Sequence, residues 1–108
     1  NANVEAVDKD GNTALILSAD RGQAEVVELL LGAGGANVEA VDKNGSTALL
    51  FSASGGHTEV VARMLEAGAD VEAANKYGNT ALILSADRGQ AEVVELLLGA
   101  GGANVEAV

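Results

Sequence analysis

Three stretches of the chain hold residue types that do chemistry elsewhere. The tip Asp8-Lys9-Asp10-Gly11-Asn12 alternates oxygen ligands in the manner of a calcium-binding loop. Such a loop needs glycine at its sixth place and a bidentate glutamate at its twelfth; here glycine is fourth and no glutamate follows at that distance, so the tip is read as a solvated turn without metal. Gly32–Asn37, GAGGAN, is rich enough in glycine to wrap a phosphate. Phosphate loops lead from a strand into a helix and end in Lys-Ser/Thr, whereas this one follows a helical stretch and lacks that ending, which makes it a helix stop. His57 is the only histidine, with Ser52 and Ser54 upstream and Glu59 beyond, the side-chain types of a nucleophilic triad. Sister segments carry Gln23 and Gln90 at its place. A catalytic imidazole is rarely replaceable in that way, and no oxyanion device can be assigned. The expectation is a protein that is not an enzyme and uses no cofactor.

Charge and composition narrow the partners. Sixteen acidic residues against 6 basic ones give a net charge of −10. Nucleic-acid binders gain affinity by neutralising phosphates with Lys and Arg, so this balance argues against nucleic acid and, equally, against membrane surfaces. No apolar run approaches the ~20 residues of a spanning helix. Cysteine is absent, which fits a reducing, cytoplasmic setting. Apolar residues make up 48% of the chain, yet Phe51 and Tyr77 are the only aromatics. Any core must therefore be built from thin layers of Ala, Val, Leu and Ile.

The elements that position these residues repeat. Gly11–Val41 recurs letter for letter as Gly78–Val108, and a divergent copy lies between, with Thr13, Thr47 and Thr80 heading equivalent stretches. Each copy pairs a short segment, TALILSADRG in the first, with a longer one, AEVVELLLGA. On the longer segment the apolar arc is about 200° wide, twice what a helix lying on one core requires, so both its flanks must be covered. Arg63 replaces Leu29 at the rim of that arc in the middle copy, while Val60, Val61, Met64 and Leu65 keep its centre. Glu25, Glu28, Glu92 and Glu95 fall on the polar arc. TALIL by itself is open between strand and helix. Thr13 as an N-cap and Gly22 as a left-handed stop favour a two-turn helix. A helical hairpin of this size buries both faces only by stacking on its neighbours.

The unit resembles an ankyrin repeat. The letters that carry the resemblance in the first copy include Asp8, Gly11, Thr13, Leu15, Ala19, Gly22, Glu25, Val26, Val27, Leu29–Leu31, Gly34, Ala36, Val38 and Ala40; the middle copy adds His57 and Asp70. The resemblance covers essentially the whole chain. It departs where the family's T-P-L-H becomes TALI at Thr13–Ile16 and Thr80–Ile83 and TALL at Thr47–Leu50, and where Glu39, Glu72 and Glu106 replace a family Asn. The fold it implies is all-α, an ankyrin-type solenoid of helical hairpins with turn or β-finger tips, in one domain over residues 1–108. Residues 1–7 are the loop end of a preceding repeat, followed by repeats at 8–41, 42–74 and 75–108.

The function the resemblance implies is a non-catalytic scaffold that binds another protein in a concave groove of turn tips and short helices. Carried over by position, the groove comprises Lys9, Asp10, Asn12, Leu17, Asp20 and Arg21 in the first repeat. The second contributes Lys43, Asn44, Ser46, Phe51, Ser54 and Gly55, and the third Lys76, Tyr77, Asn79, Leu84, Asp87 and Arg88. Leu17, Phe51 and Leu84 are equivalent and should form an apolar ridge. Neither end looks like a polar capping repeat, which points to an excerpt of a longer array or an engineered protein. The alternative function is self-assembly, with uncapped ends stacking head to tail.

Overall fold

The computed structural model describes residues 2–99. Three threonines start its short helices. Thr13, Thr47 and Thr80 sit in extended backbone, and each Oγ1 accepts from the backbone N–H three residues on, Ile16, Leu50 and Ile83, at 3.2 to 3.3 Å. Those caps open α1 (Ala14–Asp20), α3 (Ala48–Ser54) and α5 (Ala81–Asp87). TALIL is thus helical. Gly22 ends the first of them at φ +72°, a conformation that costs other residues strain. The chain then enters the longer helices α2 (Ala24–Leu31), α4 (Thr58–Glu66) and α6 (Ala91–Gly99).

Each short helix packs on the long helix that follows it, and like helices pack side by side: α1 on α3 on α5, and α2 on α4 on α6. The result is two helical layers stacked along one direction, 43 × 25 × 20 Å. Among the described residues the only strand-like feature is a single antiparallel bridge, Val41 with Thr47. The tips are therefore tight turns rather than extended β-fingers.

Because the outer repeats share one sequence, their differences in burial isolate the effect of place. In the first, Ile16, Ala19 and Val27 are buried while Ala14 is exposed and Val26 is 44% exposed. In the third the pattern inverts: Ala81, Val93 and Leu97 are buried, Ile83 and Val94 are only partly covered and Ala86 is exposed. The middle repeat is covered on both flanks, so Val60 and Val61 are both buried, together with Ala48, Leu49, Leu50 and Met64. A two-sided apolar arc meets two neighbours there and one neighbour in each outer repeat. Hydroxyls that fall in this interior are satisfied locally: Ser18, Ser52 and Ser85 donate to the carbonyls of Leu15, Leu49 and Leu82 at 3.1 to 3.2 Å.

Candidate functional site

The tips are held by side-chain oxygens that accept backbone N–H groups. Asp8 accepts from the N–H of Asp10 and of Asn12, each at 2.9 Å, and Asp42 does the same for Asn44 and Ser46. These bonds, that of Asn12 foremost, hold the Asp8 carboxyl below its ordinary pKa. In the third tip an amide does the same work, Asn75 Oδ1 accepting from Tyr77 and Asn79. The Asp8 carboxylate of the sequence's calcium-like tip is thus engaged with its own turn, and no group of three or more potential metal ligands occurs among the described residues.

Successive tips are joined to one another. Lys43 N–H donates to Asp10 O at 3.1 Å and Lys76 N–H to Asn44 O at 2.9 Å, a backbone ladder along the stack. Lys43 Nζ also reaches the Asp10 carboxylate at 3.1 Å, and the Lys76 ammonium lies 5.3 Å from the centroid of the Tyr77 ring. The ladder aligns the three tips, which carry Lys9, Lys43 and Lys76 at equivalent positions. Arg21 and Arg88 follow at the C-caps of α1 and α5. Five of the six basic residues thus lie on the tips and short helices, whereas Glu25, Glu28, Glu59, Glu66, Glu92 and Glu95 all lie on the long ones.

The ridge expected from equivalent positions is graded. Leu17 is 40% exposed, while Phe51 and Leu84 are partly buried and rest on the core. Phe51 and Leu84 line a cleft of about 170 Å³ with Ser46, Leu50, Ser54 and Asn75. Tyr77 is open to solvent, at 66%. Ser46 behaves differently from its neighbours: it is buried, and its Oγ accepts from Asn75 Nδ2 at 3.2 Å, so it ties two tips together. Asn12 Nδ2 is turned back onto Asp8 at 3.3 Å. Asp20, Arg21, Asp87 and Arg88 are exposed, Ser54 and Asn79 half-buried.

Beneath this face run tethers that sequence reasoning did not assign. His57 Nε2 meets the carbonyl of Asp20 at 2.9 Å, and Gln90 Nε2 donates to the carbonyl of Ser54 at 3.2 Å. The histidine considered for catalysis therefore binds the end of the preceding short helix, and glutamine does the same one repeat later. Interchangeable His and Gln at this place were the signal: both bear a ring or amide nitrogen at similar reach. A second tether runs through the loops, where Glu5 accepts from Asn37 N–H and Glu39 from Asp70 N–H, both at 2.7 Å. Glu5 and Glu39, at equivalent places in successive loops, are loop clasps. A third joins α2 and α4, where Arg63 donates to Glu28 at 2.6 Å and to Glu59 at 3.1 Å. The Glu59 hydrogen bond, followed by the charge of Glu28, raises the pKa of the Arg63 guanidinium above its ordinary value.

Among the described residues no helix is long and apolar enough to cross a membrane. A family model described as ankyrin repeats (3 copies) matches residues 34–108, and one described as ankyrin repeats (many copies) matches residues 1–51. No curated protein matches the chain.

Proposed function

Because the chain belongs to the ankyrin-repeat family, whose repeats are generally protein–protein interaction modules, we propose that it is a non-catalytic scaffold that binds another protein across its tips and short helices. The observation that carries this reading is the cleft formed by Phe51 and Leu84, with Tyr77 exposed nearby. Aromatic anchors beside an apolar depression dominate interface energetics when a partner excludes water from them. Lys9, Lys43, Lys76, Arg21 and Arg88, on the tips and short-helix ends of the same layer, supply charged groups suited to a rim. The tip ladder and the His57 and Gln90 tethers fix the spacing of these groups before a partner arrives, which reduces the ordering cost of binding.

The test is a selection of binders from a displayed peptide library, followed by Phe51→Ala and Tyr77→Ala in the chain. Binders seated on this face lose at least ~2 kcal/mol, roughly 30-fold in Kd, when both rings are removed. Selected binders that tolerate both substitutions while the variant keeps its helical circular dichroism count against the reading.

A second reading, head-to-tail assembly, has one observation in its favour. The Ala14 and Val26 face of the first repeat has the sequence of the Ala81 and Val93 face that the middle repeat buries. Sedimentation that grows with concentration supports assembly, and a concentration-independent monomer excludes it.

A further inference from the structure

The two clefts between neighbouring long helices are built alike and lined differently. In the first, Arg63 of α4 reaches across to Glu28 of α2 at 2.6 Å while also holding Glu59 of its own helix at 3.1 Å. One repeat further on, Ala62 stands where Glu28 stood and Leu96 where Arg63 stood. The bridge is therefore missing from the second cleft, which opens to about 770 Å³ between α4 and α6. Ala62, Leu65 and Leu96, all partly buried, line its apolar part. Glu66, Glu92 and Glu95 also line it, are exposed, and take part in no ion pair among the described residues.

We propose that the α4–α6 cleft binds a cationic amphipathic helical segment of another protein, with a leucine-sized side chain against Ala62, Leu65 and Leu96 and an arginine against Glu92 and Glu95. The sister cleft shows the chemistry of the occupant. There a guanidinium lies between carboxylates from two adjacent long helices, and the side chain that brings it is only 31% exposed. In the second cleft an arginine supplied from outside meets Glu92, the counterpart of Glu59, with Glu95 on the same helix and Glu66 across the cleft on α4, and it gains charge-assisted hydrogen bonds as Arg63 does. The apolar lining selects an amphipathic partner over a merely basic one, because it rewards burial of a side chain that carries no charge. The net charge of −10 attracts such a segment from a distance. This surface lies on the long helices, apart from the tips, so both can be occupied at once.

The probe is a fluorescein-labelled peptide of about twelve residues, three helical turns and slightly longer than the nine-residue α4 and α6. It carries leucine and arginine at i, i+4 spacing, and a control peptide has every leucine replaced by glutamine at equal charge. Ala62→Glu with Leu96→Arg transplants the Glu28–Arg63 bridge into the second cleft. The pair adds one negative and one positive charge, so the net charge stays at −10 and long-range attraction is unchanged. Fluorescence anisotropy with the whole chain is expected to show binding weakened at least ~10-fold by that pair. A similar loss is expected from Glu92→Gln with Glu95→Gln, which alters exposed residues only, and from added salt. Phe51→Ala with Tyr77→Ala should leave this affinity unchanged, separating the site from the tip face. Equal binding by the leucine-free peptide, undiminished binding by the bridged variant, or a loss on removing Phe51 and Tyr77 each overturns the proposal.

Discussion

Substituting one residue in two identical contexts isolates what stacking contributes. Ile16 and Ile83 occupy the same place in the duplicated segment, so their neighbours in sequence, their helix positions and their capping threonines are alike. Ile16 is covered by the middle repeat and is 1% exposed, whereas Ile83 faces away from it and is only partly buried. Replacement by Ala removes three carbons. At ~0.8 kcal/mol for each buried methylene the transfer loss at Ile16 is about 2.4 kcal/mol. The enclosed cavity brings the total to about 3 kcal/mol, within the range for buried Ile to Ala. Ile83 is still mostly covered, so about two-thirds of the transfer loss applies, and the gap opens to solvent, which gives a loss of about 1.6 kcal/mol. The gain in helix propensity on going to Ala is the same at both places and cancels from the comparison. Urea unfolding followed by far-UV circular dichroism should therefore separate the variants by about 1.4 kcal/mol. With a slope of ~2 kcal/mol/M that is ~0.7 M in the midpoint. Losses equal within ~0.5 kcal/mol would refute the claim that the repeats cover one another's flanks.

Four other outcomes follow from described contacts. His57→Ala should cost about 1 kcal/mol of stability through loss of the bond to Asp20 O, while His57→Gln should retain most of it, as Gln90 does one repeat later; thermal unfolding of the two variants distinguishes them. Gly22→Ala places a Cβ 2.6 Å from His57 Nδ1 at φ +72°, so a loss of about 1–3 kcal/mol is expected in denaturant unfolding, with partial recovery when His57 is also made Ala. The Asp8 carboxyl has a depressed pKa in the folded chain, so its stabilising effect is complete above the ordinary value of 3.8 and disappears as pH falls through the lower, folded value. Protection of the Asp10 and Asn12 amides, taken relative to the intrinsic exchange rate at each pH, should fall over that acid window, and Asp8→Asn, which copies the Asn75 tip, should abolish that fall. Arg63→Leu should cost no more than ~1 kcal/mol, because its partners are well exposed; stability equal to the parent in high salt and slightly lower in low salt is the expected pattern.

How far the sequence foretold all this depends on whether the information was local. Thr13, Thr47 and Thr80 were legible as caps because a hydroxyl and the N–H three residues on belong to one turn. Gly22 was legible because a short helix followed at once by another needs a left-handed residue between them. The wide apolar arc of the long segment likewise forecast that Val60 and Val61 would both be buried. What stayed hidden depends on which residue of one repeat faces which residue of the next. The tether of His57, the clasp of Glu39 and the bridge from Arg63 to Glu28 join residues 31 to 37 apart in sequence. Their partners are in part backbone groups, which carry no letter of their own. The groove residues show the same limit: position alone put Ser46 beside Asn44, but the approach of the next tip buries it against Asn75.

The direction of the short-helix tethers has a consequence for how such a chain is made. In both cases the side chain comes from the later unit and the acceptor is a main-chain oxygen of the earlier one. A freshly copied unit therefore arrives with its own fastening and asks for no matching change in the unit it joins, because every sequence offers a carbonyl. Growth by tandem duplication needs no coordinated second mutation at that joint, and near-perfect copies can coexist with a much altered middle member.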